Sequence, residues 1–229
     1  MEDGKKMSKL NILYEDNHII VVIKPANILS QGDNTGDSSM IEMIKEYLKE
    51  KYHKPGNVYL GLVHRLDRPV GGIMVFAKTS KAAARLSKSF LNHQVDKRYL
   101  AIIHGRMESE GRLVDSIEKM SNGNSIISEN GKESILTYKE LEYNKNKNCS
   151  LIEVKLETGR HHQIRVQFAS RGYPLVGDNR YGTDNNKEIG LFAYKLSFPH
   201  PITKEIISFT YIPKDKPFNL FELNNVNKS

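Results

Sequence analysis

The chain contains no tryptophan and a single cysteine in 229 residues. One cysteine excludes an internal disulfide and any multi-cysteine metal site. Cys149 falls at a predicted loop-to-strand junction with no activating pattern beside it, so it reads as structural. Long apolar runs are missing as well. The longest aliphatic run is Ile19–Ile23, against the ~18 or more residues that a membrane span needs. The first residues, M-E-D-G-K-K-M-S-K, are polar and lead into no signal-type apolar region. The motifs H-E-x-x-H, G-x-x-x-x-G-K, G-x-G-x-x-G and G-x-S-x-G do not occur. These absences point to a cytoplasmic protein with no membrane partner and no metal.

What is present is ordinary in bulk and uneven in charge. Hydrophobic residues make up 38% and charged residues 27% of the chain, a soluble-protein balance with apolar material for one large domain or two small ones. The formal net charge is +7. Between Leu60 and Arg106, nine lysines and arginines stand against two aspartates, Asp67 and Asp96, so this stretch carries the excess of the whole chain. A local basic excess fits a polyanion-binding surface and fits a solvated helix face equally well.

Inside this stretch lies Leu62–Thr79, L-V-H-R-L-D-R-P-V-G-G-I-M-V-F-A-K-T. Asp67 stands between Arg65 and Arg68, Pro69 and Gly71-Gly72 then bend the backbone, and the apolar run Ile73–Ala77 follows. A charged turn set against a buried strand is one way for a scaffold to present a reactive group. An aspartate before Arg-Pro also suits a plain turn, its carboxylate accepting nearby backbone N–H groups. These residues alone leave both readings open.

The flanking chain supplies the elements. Leu10–Ile23 reads as a strand pair turning at Glu15-Asp16-Asn17 and closed by Lys24-Pro25. Ser39 with Glu42 forms a capping box for a helix that ends by Tyr52, with Ile41, Ile44, Tyr47 and Leu48 at helical spacing. A second helix is expected over 80–93, capped by Thr79 or Ser80, with Ala83, Leu86 and Phe90 inward. Its outer face, Lys81, Arg85 and Lys88, suits a phosphate backbone. Asp96–Gly105 turns into a strand carrying Tyr99. Short β-prone pieces fill 107–148, with turns at 121–124 and 129–132. After a strand at Leu151–Leu156, Thr158-Gly159 leads into a helix expected to carry Arg160, His161, His162, Gln163 and Arg165 at or near its N-terminus. Ile164 and Phe168 would face inward, and Gly172 would end it. Such a terminus suits an anion, either phosphate or a carboxylate such as Asp67. Adjacent His161 and His162 would diverge on a helix, unlike metal pairs four apart. Two β-prone runs, 191–198 and 206–212, complete the pattern.

His64-Arg65-Leu66-Asp67, with Gly72 and its apolar strand, resembles the H-R-L-D signature of the RluA-type pseudouridine synthases. Tyr14-Glu15-Asp16 and Lys24-Pro25 are similar to that family's opening signature, and Lys97–Gly105 to its K-x-Y-x-A-x-V-x-G strand. Thr158–Arg165 is similar to its T-G-R-x-H-Q-I-R segment. Gly177-Asp178, Tyr181-Gly182, Phe192-Ala193 and Leu196–Pro201 continue the series, so the likeness runs from about Tyr14 to about Pro201. It implies an α+β fold, a large mixed, mainly antiparallel sheet with flanking helices and a central cleft. It also implies isomerisation of a uridine in structured RNA, ribosomal or transfer, with no cofactor and no metal. In that picture Asp67 is the nucleophile, Arg160 pairs with it, and Tyr99 stacks on a flipped uracil and serves as base. Arg65 fills the vacated space and, with Arg68, Lys81, Arg85, Lys88 and Arg165, contacts RNA. Apart from the resemblance, Ile164 and Leu196 suit the pocket lining and core packing equally well, and His64 and His162 read as structural, orienting the two polar turns.

Two positions depart from the family pattern. Val70-Gly71-Gly72 stands where many members have T-S-G, which removes two hydroxyls beside the active turn, and Asn27 replaces a glycine. The expected organisation is a disordered segment 1–9, a catalytic domain over 10–221 and a tail over 222–229, acting as a monomer without an accessory RNA-binding domain. The rival readings are a non-catalytic RNA-binding domain on the same scaffold and, further off, a metal-dependent nuclease.

Overall fold

The strand pair at the start forms as β1 (Asn11–Glu15) and β2 (Ile19–Lys24), followed by α1 (Met40–Lys51), β3 (Gly61–Leu62), β4 (Gly71–Ala77), α2 (Ser80–Leu91) and β5 (Asp96–His104). Then come β6 (Glu110–Lys119), β7 (Ser125–Ile127), β8 (Lys132–Asn144), β9 (Cys149–Leu156), α3 (Gln163–Ala169), β10 (Leu191–Pro199) and β11 (Ile206–Thr210). The structure, a computed structural model, describes residues 10–33, 36–182, 188–223 and 226. The expected disordered segment 1–9 lies outside the described residues. Of the expected tail, Leu223 and Val226 pack in a cluster with Leu100, Ile102 and Phe218. Among the described residues no helix is long and apolar enough to cross a membrane.

The strands join into one sheet in the order β1-β2-β4-β10-β5-β9-β8-β6-β7, with β3 beside β4 and β11 beside β10. The β4–β10 pair is parallel and the other pairs are antiparallel. The architecture is the α+β, mainly antiparallel sheet that the resemblance implies.

Strands β2 and β4 are apolar at nearly every position because both faces of the sheet are covered there. Ile19, Val21, Ile23, Ile73 and Val75 pack with Ala82 and Leu86 of α2. The alternate set, Ile20, Val22, Met74 and Phe76, packs with Met40, Ile44 and Leu48 of α1. Further along the sheet, Ala101, Ile103, Ile152 and Val154 pack with Ile164 and Phe168 of α3. Ser39 caps α1 with the full capping box, and Thr79 caps α2 by accepting the Ala82 N–H at 3.2 Å.

The third helix starts at Gln163, behind a closed turn. The Gln163 side-chain oxygen accepts from the Thr158 hydroxyl (2.8 Å) and the Arg160 N–H (3.0 Å), closing a turn before the helix begins. His162 stands at φ +55°, the left-handed backbone that completes this turn. Arg160 and His161 therefore precede α3 and His162 stands at its N-cap, near the helix start as expected, and the anion that this terminus meets is the Asp67 carboxylate, which faces His162 and Arg165. His161 and His162 do not diverge, since the turn brings their rings into a stack with centroids 3.7 Å apart.

Candidate active site

The loop between β3 and β4 holds Asp67, and the connection after β2 pins it. Lys24 is fully buried, and its ammonium donates to the carbonyls of Pro25 (3.1 Å), Ile28 (2.6 Å) and Arg68 (3.0 Å). The Asn27 N–H donates to the same Arg68 carbonyl at 2.8 Å. Ser30 donates to the Leu66 carbonyl (2.8 Å) and accepts from its N–H (3.2 Å). Asp67 is thus bracketed by two anchored residues, and the Val70 N–H closes a turn on its carbonyl at 3.0 Å. These contacts hold the loop without the two hydroxyls that Val70-Gly71-Gly72 lacks. A side chain at Gly71 would set its Cβ 3.0 Å from the Phe192 ring, and one at Gly72 would strike Ala193 of the parallel neighbour β10. Burial pushes the Lys24 ammonium down to about 7, with Asp67 opposing the shift and Arg68 adding to it.

Arg165, rather than Arg160, supplies the guanidinium beside Asp67. Its Nη1 lies 3.3 Å from Asp67 Oδ2, while Nε and Nη2 grip Asp178 at 2.8 and 2.7 Å. Arg160 is exposed, and its Nε donates to the Glu133 carbonyl at 2.9 Å. The turn before α3 is the cause: it leaves Arg160 outside and carries Arg165, in the first turn of the helix, inward. Arg165 is buried, so it is not the RNA-facing residue expected from its place in the motif. Burial of Asp178 acts to raise its carboxyl, but the Arg165 guanidinium and the N–H groups of Arg180 and Tyr181 more than offset this and hold it below its ordinary value. His162 Nε2 lies 3.5 Å from the same Asp67 oxygen. Burial drives His162 down to about 4, against the pull of Asp67, so it is neutral at pH 7.

Asp67 sits between two cavities. The first, about 670 Å³, is lined by Asp67, Lys97, Tyr99, Arg160, Ile164 and Leu191 among others. The second, about 960 Å³, takes in Arg65, Arg68, Lys119 and Arg180, and Asp67, His162 and Arg165 reach both. Strand β5 brings Tyr99 to the first cavity, and its phenol is raised by burial and, secondarily, by the charge of Asp67. Lys97, two residues earlier on the same strand, is lowered by burial and by Arg160. His64 is pushed down to about 3 by burial and then Lys97; it accepts the Val75 N–H at 3.1 Å and stacks on Phe90. Among the described residues no group of three His, Cys, Asp or Glu side chains is arranged to hold a metal.

The remaining expected residues divide. Arg65 is exposed and lines both cavities. Arg68 pairs with Asp37 at 2.7 Å beside the second. Lys81 and Lys88 are exposed on α2, whereas Arg85 donates to the Pro201 carbonyl at 2.9 Å. Leu196 is buried among Val21, Val75 and Leu86, because α2 covers that end of β10; Leu191, at the strand's other end, reaches the cavity in its place. Sequence reasoning assigns no site role to Lys97, Lys119, Asp178, Arg180 or Tyr181. Asp178 and Tyr181 do lie in the G-D and Y-G pieces of the family pattern, and Lys97 in K-x-Y, which is a usable signal. Lys119 and Arg180 carry no motif and are assembled only by the fold.

This arrangement, a carboxylate facing a buried guanidinium beside a half-buried tyrosine and an open basic cavity, suits an enzyme that acts on an anionic polymer. The RNA pseudouridylate synthase family profile matches residues 18–170. The chain is 32% identical to the ribosomal large subunit pseudouridine synthase D of Zymomonas mobilis, an alignment covering 95% of this chain and 74% of that one. It is 34% identical to the uncharacterized RNA pseudouridine synthase YhcT of Bacillus subtilis over 87% of this chain and 67% of the relative. Among solved structures, human RNA pseudouridylate synthase domain containing 1 superposes with a TM-score of 0.76 at 26% identity, covering 95% of this chain and 88% of that one. The chain belongs to the RNA pseudouridylate synthase family. It is an RNA pseudouridine synthase, an isomerase that converts uridine in RNA to pseudouridine, rather than a nuclease or a non-catalytic binder.

Proposed function

We propose that Asp67 is the nucleophile of this isomerisation, acting on a uridine everted from structured ribosomal RNA. The observation that carries the reading is the position of Asp67 between a cavity that suits a single nucleotide and a basic one that suits the flanking strand, with Arg165 3.3 Å from its Oδ2. A uridine stacked in folded RNA cannot reach such a site, so the base leaves the stack, and exposed Arg65 at the mouth of both cavities fills the gap. The ionised carboxylate adds to ribose C1′ as the bond to uracil N1 breaks, in the manner of glycoside cleavage. The detached uracil turns within the cavity, C5 bonds to C1′ as the carboxylate departs, the C5 proton is lost and N1 takes one up.

Tyr99 relays the C5 proton in this reading: its phenol gives its own proton to N1 through water as it takes up the one leaving C5, so it stays neutral throughout. Its phenol is raised first by burial and then by Asp67. Exposed Arg65, Arg68, Lys81, Lys88 and Arg160, with Lys119 and Arg180, carry the phosphates. The ribosomal relatives favour ribosomal RNA over transfer RNA as substrate. In this reading the enzyme works in the cytoplasm, as a monomer.

The test is Asp67→Asn, assayed by tritium release from RNA transcribed with 5-tritiated uridine. The expected outcome is retained RNA binding and no release. Release at a rate near that of the unaltered enzyme discards the nucleophile reading.

A further inference from the structure

We propose that Tyr181 is a positioning residue for Asp67, acting through His162: the phenol fixes the imidazole tautomer so that a ring N–H faces one carboxylate oxygen and leaves the other to react. The proposal rests on Asp67 as the nucleophile. Tyr181 comes from the connection between α3 and β10, and no part of the reading above uses it.

The donor and acceptor count along the chain of contacts admits one arrangement. The Ser125 N–H, at the start of β7, donates to the Tyr181 oxygen at 2.7 Å. That oxygen therefore accepts on one side, and its single proton goes to the other contact, His162 Nδ1, at 2.7 Å. With Nδ1 accepting, the proton of the neutral ring sits on Nε2. Nε2 is the atom 3.5 Å from Asp67 Oδ2. The opposite tautomer would set a lone pair against a carboxylate and leave the Tyr181 proton without an acceptor among the described residues. Both ends of the relay call for the same proton placement.

The consequence falls on Asp67. Oδ2 faces two donors, Arg165 Nη1 at 3.3 Å and His162 Nε2 at 3.5 Å. Oδ1 has no hydrogen-bond partner among the described residues, and it is the oxygen left to meet C1′. Distances of 3.3 to 3.5 Å are loose for charge-assisted hydrogen bonds, as is common before substrate closes a site. The Tyr181 ring also supports the second donor directly, because the Arg165 guanidinium lies 5.2 Å from its centroid. His161 stacks on the outer face of His162 and is itself tied to Ser125, its Nδ1 2.9 Å from the Ser125 Oγ. The imidazole is thus held on its face, at its rear nitrogen and at its backbone, the mark of a group whose orientation matters.

Two substitutions at His162 separate this role from a structural one. The side-chain amide of glutamine reaches the place of Nε2, and that of asparagine only the place of Nδ1. His162→Gln keeps an N–H toward Asp67, whereas His162→Asn removes it yet suits the φ of +55° better. The expected result is that the Asn variant melts at the higher temperature and the Gln variant has the higher kcat. The loss for Asn is on the order of 10²-fold with RNA affinity unchanged. A merely structural histidine gives the reverse order of activity.

Tyr181→Phe supplies the second readout. It keeps the ring under Arg165 but frees His162 Nδ1 to take a proton. The groups facing His162 are Asp67 from the β3–β4 loop, Arg165 from α3, His161 from its own turn, and Arg180 and Tyr181 from the connection to β10. An imidazolium carries N–H on both nitrogens, so the variant regains its donor toward Asp67 as pH falls. The ratio of variant to unaltered kcat is expected to rise as pH falls from about 6 toward about 4, the value to which burial brings this imidazole, effects common to both enzymes cancelling. Activity is read as tritium release from pooled ribosomal and transfer RNA transcripts. Equal activity of the Gln and Asn variants, or a ratio flat in pH, overturns the proposal. Asp67→Asn in the same assay keeps the two claims apart. If that variant is inert and the His162 variants are indifferent, only the relay falls; if it is active, the nucleophile beneath the relay falls.

Discussion

Arg165 bridges two aspartates that are far apart in sequence, gripping Asp178 with two bonds of 2.8 and 2.7 Å while Nη1 reaches Asp67 at 3.3 Å. Asp178 is buried and also accepts the N–H groups of Arg180 and Tyr181, so it fixes the guanidinium before substrate arrives. The pairing is geometric: a planar fork satisfies one carboxylate with two N–H groups and still presents a third edge to the other.

Arg165→Lys keeps the charge and loses the fork. Turnover is expected to fall on the order of 10²-fold, with RNA affinity little changed. Arg165→Met leaves Asp178 buried without its partner, a loss of about 3–5 kcal/mol in a urea melt. Arg160→Ala, by contrast, is expected to shift stability by no more than about 0.5 kcal/mol, since the residue is exposed. An Arg160 variant that is inert while binding RNA normally would return that residue to the chemistry.

The lowered Asp178 carboxyl sets the acid limit of this part of the fold. A carboxylate depressed in the folded state contributes stability that is fully present above its unfolded value of 3.8 and is lost as pH falls through the lower folded value. Thermal melts of Asp178→Asn and the unaltered protein are expected to converge as pH drops below that range. A difference that stays constant down to about pH 2 contradicts the pairing.

Lys24 has the opposite dependence. Its folded value of about 7 lies below the ordinary 10.5, so between these the unfolded chain binds a proton that the folded chain does not. Stability from this group therefore rises with pH across that window. Relative to Lys24→Met, the unaltered protein is expected to gain melting temperature from about pH 7 to about pH 10. The variant also loses the clamp on the Arg68 carbonyl, so its kcat falls together with the slope.

Tyr99→Phe removes one oxygen from the first cavity and keeps the ring. RNA affinity is expected to hold while tritium release stops, since C5 loses its proton acceptor. Release at the unaltered rate rules the tyrosine out as the base.

The two-cavity surface makes binding depend on salt. The logarithm of the RNA association constant is expected to fall linearly with the logarithm of salt concentration, and Arg65→Ala or Lys119→Ala to reduce the slope by about one each. A slope near zero for the unaltered enzyme contradicts the phosphate-binding role of these residues.

Much of the fold is legible because its signals are local. The capping box at Ser39 and Glu42, the cap at Thr79 and the apolar run at 19–23 each depend on neighbours within a turn or two. Which arginine at the start of the third helix turns inward is not legible, because Gln163 bonds back to Thr158 and Arg160, which periodicity does not record. Leu196 escapes for a similar reason, since alternation shows that a strand residue is buried but not which helix covers it.

By itself the amino-acid order determines the family and supplies the groups of the proposed site: a carboxylate in H-R-L-D, a tyrosine in K-R-Y, and a basic stretch around them. The tertiary structure decides which arginine serves the carboxylate, because Arg160 and Arg165 have the same chemistry and only the turn ahead of α3 separates them. It also decides that Ser125, Tyr181 and His162 form one line to Asp67, since those contacts join segments brought together by strand order across the sheet. Residue type sets what a group can do; its burial and its neighbours, fixed by packing over the whole chain, set which one does it.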